Sequence, residues 1–89
     1  MGGMRSKDRI LAEVRDRLVD LDSEAVKVLC REALEAAVPP LEVVTRGLAR
    51  GMEVVGERFE RREYFLPELI MAGEVMREGF SIVEPHLAG

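Results

Sequence analysis

Few side chains in this sequence could do covalent or metal chemistry. There is one cysteine, one histidine, one tyrosine and no tryptophan. A nucleophile–base pair would need Cys30 beside His86, and no feature of the pattern brings them together. Cys30 lies within a helical pattern, where a free cysteine is ordinarily a small core residue. A dimetal carboxylate bundle needs Glu-x-x-His pairs on two helices, and the chain has none. Residues 84–89, Glu-Pro-His-Leu-Ala-Gly, have acid-x-His-x-x-Gly spacing. His86 there follows a proline at the end of a helix, outside the structural context that would give the motif meaning, and is not read as a metal ligand. Glu/Arg pairs such as Glu57 with Arg61 read as solvated helix faces.

What remains is apolar surface. Residues 55–69, Val-Gly-Glu-Arg-Phe-Glu-Arg-Arg-Glu-Tyr-Phe-Leu-Pro-Glu-Leu, bring three aromatics and two leucines to a helix–helix turn. Such turns are normally polar. Phe59 extends the apolar seam of the helix before it. Phe65 and Leu66, adjacent at a helix start, point in different directions, so one bundle does not easily bury both. The stretch is either a hydrophobic staple with core packing, or an apolar patch made for a ligand or another domain.

The elements that hold this turn are helical. Proline occurs only at positions 39, 40, 67 and 85, and the segments between are rich in Leu, Ala, Glu, Arg and Met. Residues 6–21 form a first helix, with Ser6 as N-cap and Ile10, Val14, Leu18 and Leu21 as its inward stripe. Asp22 or Ser23 caps a second over 22–38, facing inward with Val26, Leu29, Ala33 and Ala37. A third spans 40–61 behind Pro39-Pro40, with Leu41, Val44, Leu48, Met52, Val55 and Phe59 as its seam. Gly47, Gly51 and Gly56 lie inside it, each costing about 1 kcal/mol relative to Ala, which close approach of a neighbouring helix would offset. A fourth covers 65–84, patterned on Leu66, Leu69, Gly73, Met76, Phe80, Val83 and Leu87. The fold class is all-α, an antiparallel four-helix bundle forming one domain over 1–89, with the two longer helices expected to supply most of the burial.

Composition narrows the function. Thirteen Lys+Arg against 17 Asp+Glu give a net charge of −4, a poor basis for binding nucleic acid. No apolar run approaches a membrane span, and the N-terminal residues lack the apolar core of a signal peptide. A lone cysteine fits a reducing cytoplasm. Eighty-nine residues are too few for a complete Rossmann or barrel enzyme.

The chain resembles the helical cap that precedes the cobalamin-binding Rossmann domain in methionine synthase and in corrinoid methyl-transfer proteins. The likeness covers roughly residues 25–88. It rests on Gly47-Leu48, Gly51-Met52, Val55-Gly56-Glu57-Arg58-Phe59, Tyr64-Phe65-Leu66-Pro67-Glu68-Leu69, Ala72-Gly73-Glu74-Val75-Met76 and Glu84-Pro85, with Pro39-Pro40-Leu41-Glu42 as the entry to the third helix. At Arg62 the family often has glycine.

The resemblance implies that Phe59 and Leu66 press on the upper face of the corrin and that Phe65 and Leu69 complete an apolar lid. The lid shields the cobalt and its methyl group from water and oxygen, and swings away for methyl transfer. It implies cobalamin in the full-length protein and a following Rossmann domain that this chain lacks. The chain is therefore expected to be a fragment that is not itself an enzyme and holds no cofactor tightly. Implied partners are that Rossmann domain and the substrate-specific and acceptor methyltransferases. The rival is a helical dimerisation or protein-docking module, with a homodimer through the same patch. Related caps occur in regulators with DNA-binding domains, which the acidic charge does not suggest here.

Overall fold

The computed structural model describes residues 6–87, which form four helices: α1 (Lys7–Val19), α2 (Ser23–Glu35), α3 (residues 40–60) and α4 (Leu66–Val83), the last followed by a 3₁₀ turn at Glu84–His86. Helix starts follow from side chains that accept otherwise unpaired amides. Ser6 Oγ accepts from the Arg9 amide at 3.1 Å. Asp22 caps α2, its carboxylate accepting from the Ala25 amide at 3.1 Å. Pro40 opens α3, where its missing N–H costs nothing. At the start of α4 the Phe65 amide donates to Glu68 Oε1 at 2.8 Å.

The first three helices end alike, each with a non-glycine residue in the left-handed conformation: Leu21 (φ 63°), Ala37 (φ 64°) and Arg62 (φ 63°). After α3 the Arg62 amide bonds to the Phe59 carbonyl at 3.1 Å and the Glu63 amide to the Arg58 carbonyl at 2.8 Å. The same pair of bonds closes α1 and α2. This Schellman pattern usually takes glycine. An L-residue there costs about 1–2 kcal/mol, and Arg62 adopts the conformation without being a glycine. Ala37, expected inward, is exposed because it occupies this position.

The glycines act instead inside helices. A Cβ on Gly47 would lie 2.9 Å from Val14 Cγ1, and one on Gly51 3.1 Å from the Arg15 carbonyl oxygen and from Leu18 Cβ. These two let α3 lie close against α1. Gly79 on α4 is enclosed by Leu48 and Val26, each 2.9 Å from where its Cβ would be. Gly56, expected to serve the same purpose, has nothing within 4 Å.

Close approach changes which residues face inward. Among the described residues the buried apolar set has sixteen members, and α1 and α2 supply nine of them, correcting the expectation that α3 and α4 dominate. In α3 the segment Val43–Leu48 is π-helical, between α-helical Pro40–Glu42 and Ala49–Glu60. Within this segment Gly47 and Leu48 are both buried, and Val43 rather than Val44 is fully inside. Leu41, expected on the seam, is 63% exposed. In α4 the inward row is Ala72, Val75, Gly79 and Val83. Of the expected row, Val83 is fully buried as expected, while Leu66, Leu69, Gly73, Met76, Phe80 and Leu87 lie outside or only partly covered.

Ser23 Oγ donates to the Glu78 carboxylate, and Lys27 Nζ lies 3.6 Å from it, joining the first turns of α2 to α4. The Ser23 bond, aided by Lys27, holds Glu78 below the usual carboxylate range.

The packing gives opposite signs for one substitution at two helical glycines. Gly79→Ala should lower stability by about 1–3 kcal/mol through overpacking against β-branched Val26. Gly56→Ala should raise it by about 0.5–1 kcal/mol through helix propensity alone. Urea-unfolding midpoints with unchanged slope would check both.

Candidate functional site

Phe59, Phe65, Leu66 and Leu69 lie on the two sides of the α3–α4 junction. Phe59 lies in the last turn of α3 and is 41% exposed. Phe65 is the N-cap of α4 and Leu66 its first residue, each 59% exposed. Leu69 is half-buried and packs on the core. The side chains with the largest apolar surface at this end therefore face solvent. Ile70, 61% exposed, lies four residues beyond Leu66 on the same face of α4. The sequence reading passed over it, although that spacing marks it. Met71 follows at 50% exposed.

The backbone under this surface is closely tied. The Arg58 carbonyl accepts from the Glu63 amide at 2.8 Å and the Tyr64 amide at 3.1 Å. Glu68 holds the Phe65 amide. The Tyr64 hydroxyl donates to the Val19 carbonyl of α1 at 2.6 Å, with the Arg58 guanidinium 5.4 Å from the centre of its ring. The junction offers a firm apolar surface on which the candidate side chains carry no metal-binding or nucleophilic atom. It can cover a flat apolar partner and exclude water.

The other candidates lie elsewhere. Cys30 is fully buried in α2, and burial pushes its thiol up to about 11. Deprotonation therefore costs more in the folded chain than in the unfolded one, the reverse of an activated nucleophile. His86 is exposed in the 3₁₀ turn after α4. Ala88 and Gly89, which complete the acid-x-His-x-x-Gly spacing, lie outside the described residues. Among the described residues no group of three or more His, Cys, Asp or Glu side chains could hold a metal ion. No helix among them is long and apolar enough to cross a membrane.

Residues 10–84 match the family described as "B12 binding domain". The chain is 37% identical over 84 residues to trimethylamine corrinoid protein 1 of Methanosarcina acetivorans, covering 94% of this chain and 39% of the relative. It is 38% identical over 82 residues to monomethylamine corrinoid protein 1 of Methanosarcina barkeri, covering 92% and 38%. The solved structure of the Methanosarcina barkeri monomethylamine corrinoid protein superposes with a TM-score of 0.87 at 38% identity, over 92% of this chain and 39% of that one. The chain thus spans about two fifths of the length of these relatives. It belongs to the B12 binding domain family.

Exposure sets the expected cost of removing each side chain. Leu66→Ala should cost about 1 kcal/mol or less and Phe59→Ala about 1–2 kcal/mol, against about 2–5 kcal/mol for Leu48→Ala in the core; equilibrium urea unfolding measures all three. The sign for Cys30 is also fixed. Its folded pKa lies above its unfolded value, so its contribution to stability is intact below about pH 9 and is lost as pH rises towards 11. At pH 8 the native thiol should resist alkylation and react only on unfolding, which a timed iodoacetamide assay would show.

Proposed function

We propose that this member of the B12 binding domain family caps the upper face of a corrinoid in a methyl-carrier protein, with Phe59, Phe65, Leu66 and Leu69 as the lid. The observation that carries this reading is that the largest apolar side chains at the α3–α4 junction are exposed on a backbone tied at several points. A core or staple role would cover them. Soluble domains seldom leave such a patch without a partner.

The residues fit a flat tetrapyrrole-like ring. Two phenylalanines and two leucines offer area without a competing ligand atom, since the thiol of Cys30 is buried and His86 lies on another element. When bound, the corrinoid carries the methyl group on its cobalt and supplies the transfer chemistry. The chain would exclude water and oxygen from that face, and the ring would lie against side chains that can separate from it without breaking a directed bond. That suits a cover that must open and close. The chain's role on this reading is to cover the ring rather than to react with it. In the whole protein a cobalamin-binding Rossmann domain holds the other face, and the methyl group passes between a substrate-specific and an acceptor methyltransferase. The names of the methylamine corrinoid proteins support this class of carrier.

A second reading, docking onto a second copy, is favoured by Ile70 and Met71, which extend the apolar surface beyond the four lid residues. Sedimentation of the isolated chain tests it, a monomer at high concentration arguing against it.

The capping role is tested by exchanging residues 10–84 for the matching segment of the Methanosarcina barkeri monomethylamine corrinoid protein and loading the chimera with corrinoid. Oxidation of the reduced cofactor in air should be several-fold faster after Phe59→Ala with Leu66→Ala. Equal rates in chimera and double variant would sink the shielding role.

A further inference from the structure

We infer that Tyr64 is the positioning residue of the lid, its hydroxyl bond to the Val19 carbonyl setting the angle at which Phe59, Phe65 and Leu66 are presented. This rests on the capping role proposed above and adds the group that holds the lid in place. The other bonds at the junction are local. The Arg62 and Glu63 amides turn back onto α3, and Glu68 turns back onto Phe65. They shape the turn but leave its tilt against the bundle open. Tyr64 bridges 45 positions to the end of α1, at 2.6 Å, immediately before Phe65 and five residues after Phe59.

The acceptor is available for a physical reason. A helix leaves its last four carbonyls without intrahelical partners. At the end of α1 the Asp16 carbonyl takes the Asp20 amide, Arg17 that of Asp22, and Leu18 that of Leu21. Val19 comes next, and the Tyr64 hydroxyl meets its carbonyl. The bond is part-buried, which limits competition from water. The Arg58 guanidinium over the ring adds a second hold from α3. One hydroxyl thus finishes α1 and fastens the junction.

These two roles separate in amide exchange. Tyr64→Phe keeps the ring and removes the donor. If Tyr64 positions the lid, the amides of residues 62–65 should exchange roughly three- to tenfold faster, the worth of one neutral hydrogen bond. Cys30→Ala, a core change on another element, should leave them at their native rates. Faster exchange only at residues 20–22, with 62–65 unchanged, would reduce Tyr64 to a cap for α1 and overturn the proposal. Should Tyr64→Phe not fold, native-state exchange of the unaltered chain in low urea decides the matter. Residues 20–22 and 62–65 should then open as one unit with a common denaturant slope, and two independent units would overturn it. The corrinoid-loaded chimera reads the other half. If it shows no shielding before Tyr64 is altered, the capping role fails while the exchange result stands. If it shields, Tyr64→Phe should speed oxidation several-fold, and an unchanged rate would count against positioning.

Discussion

Close approach of helix backbones is the constraint from which the rest of this structure follows. Gly47 and Gly51 lie against α1, and Gly79 is enclosed by Leu48 and Val26. Where a backbone meets a neighbouring side chain with nothing between, no large residue fits, so the inner faces of α3 and α4 are built from glycine, alanine and valine with one leucine. The small core is then filled largely by α1 and α2. The bulky apolar residues of α3 and α4 are left over, and they gather where those helices meet. An exposed patch of this kind is thus a consequence of how the interior is packed, and the lid proposed for the corrinoid occupies it.

Much of this was legible in the sequence because local chemistry decides it. Ser6, Asp22 and Pro40 mark helix starts by the amides they satisfy or lack, and the structure uses all three. The crowding of Phe59, Phe65 and Leu66 was visible as too much apolar surface for a turn. The inward faces of the later helices were less legible. Periodicity assigns large apolar residues to the core, whereas here size and burial run in opposite senses along α4: Ala72 and Gly79 are inside, Leu66 and Ile70 outside. A 3.6-residue period also does not register the π-helical turn, so it assigns Leu41 to the interior although Leu41 is exposed. Nor does residue type show that Tyr64 would reach Val19, since that bond exists only after the two helical hairpins have met.

The joints between helices follow a related economy. Three of them place leucine, alanine or arginine in a left-handed conformation that glycine would adopt more easily. Glycine is kept for helix interiors, where no residue with a side chain could replace it at Gly79 without displacing Leu48 or Val26. The cost at the joints is met by paired backbone bonds on either side of each left-handed residue. Their closure depends on packing rather than on intrinsic preference, which suits a short chain whose turns are fixed by its core.

The π-helical segment at Val43–Leu48 sets a phase relationship along α3. At its start Val43 faces inward; downstream, Val55 faces inward while Phe59 emerges at the junction. Each α-helical residue turns the chain by about 100°, so the extra residue in the wide turn acts as an index mark between the two halves. The wide turn absorbs that residue, so its loss would restore an ordinary helix with both halves in their present phase. Tightening the turn to α-helical pitch with every residue kept would instead rotate everything after it by about that angle, carrying Phe59 away from Phe65 and Leu66 and turning Val55 out of the interior. The segment is therefore a place where the pitch of the turn, more than the number of residues in it, is under constraint.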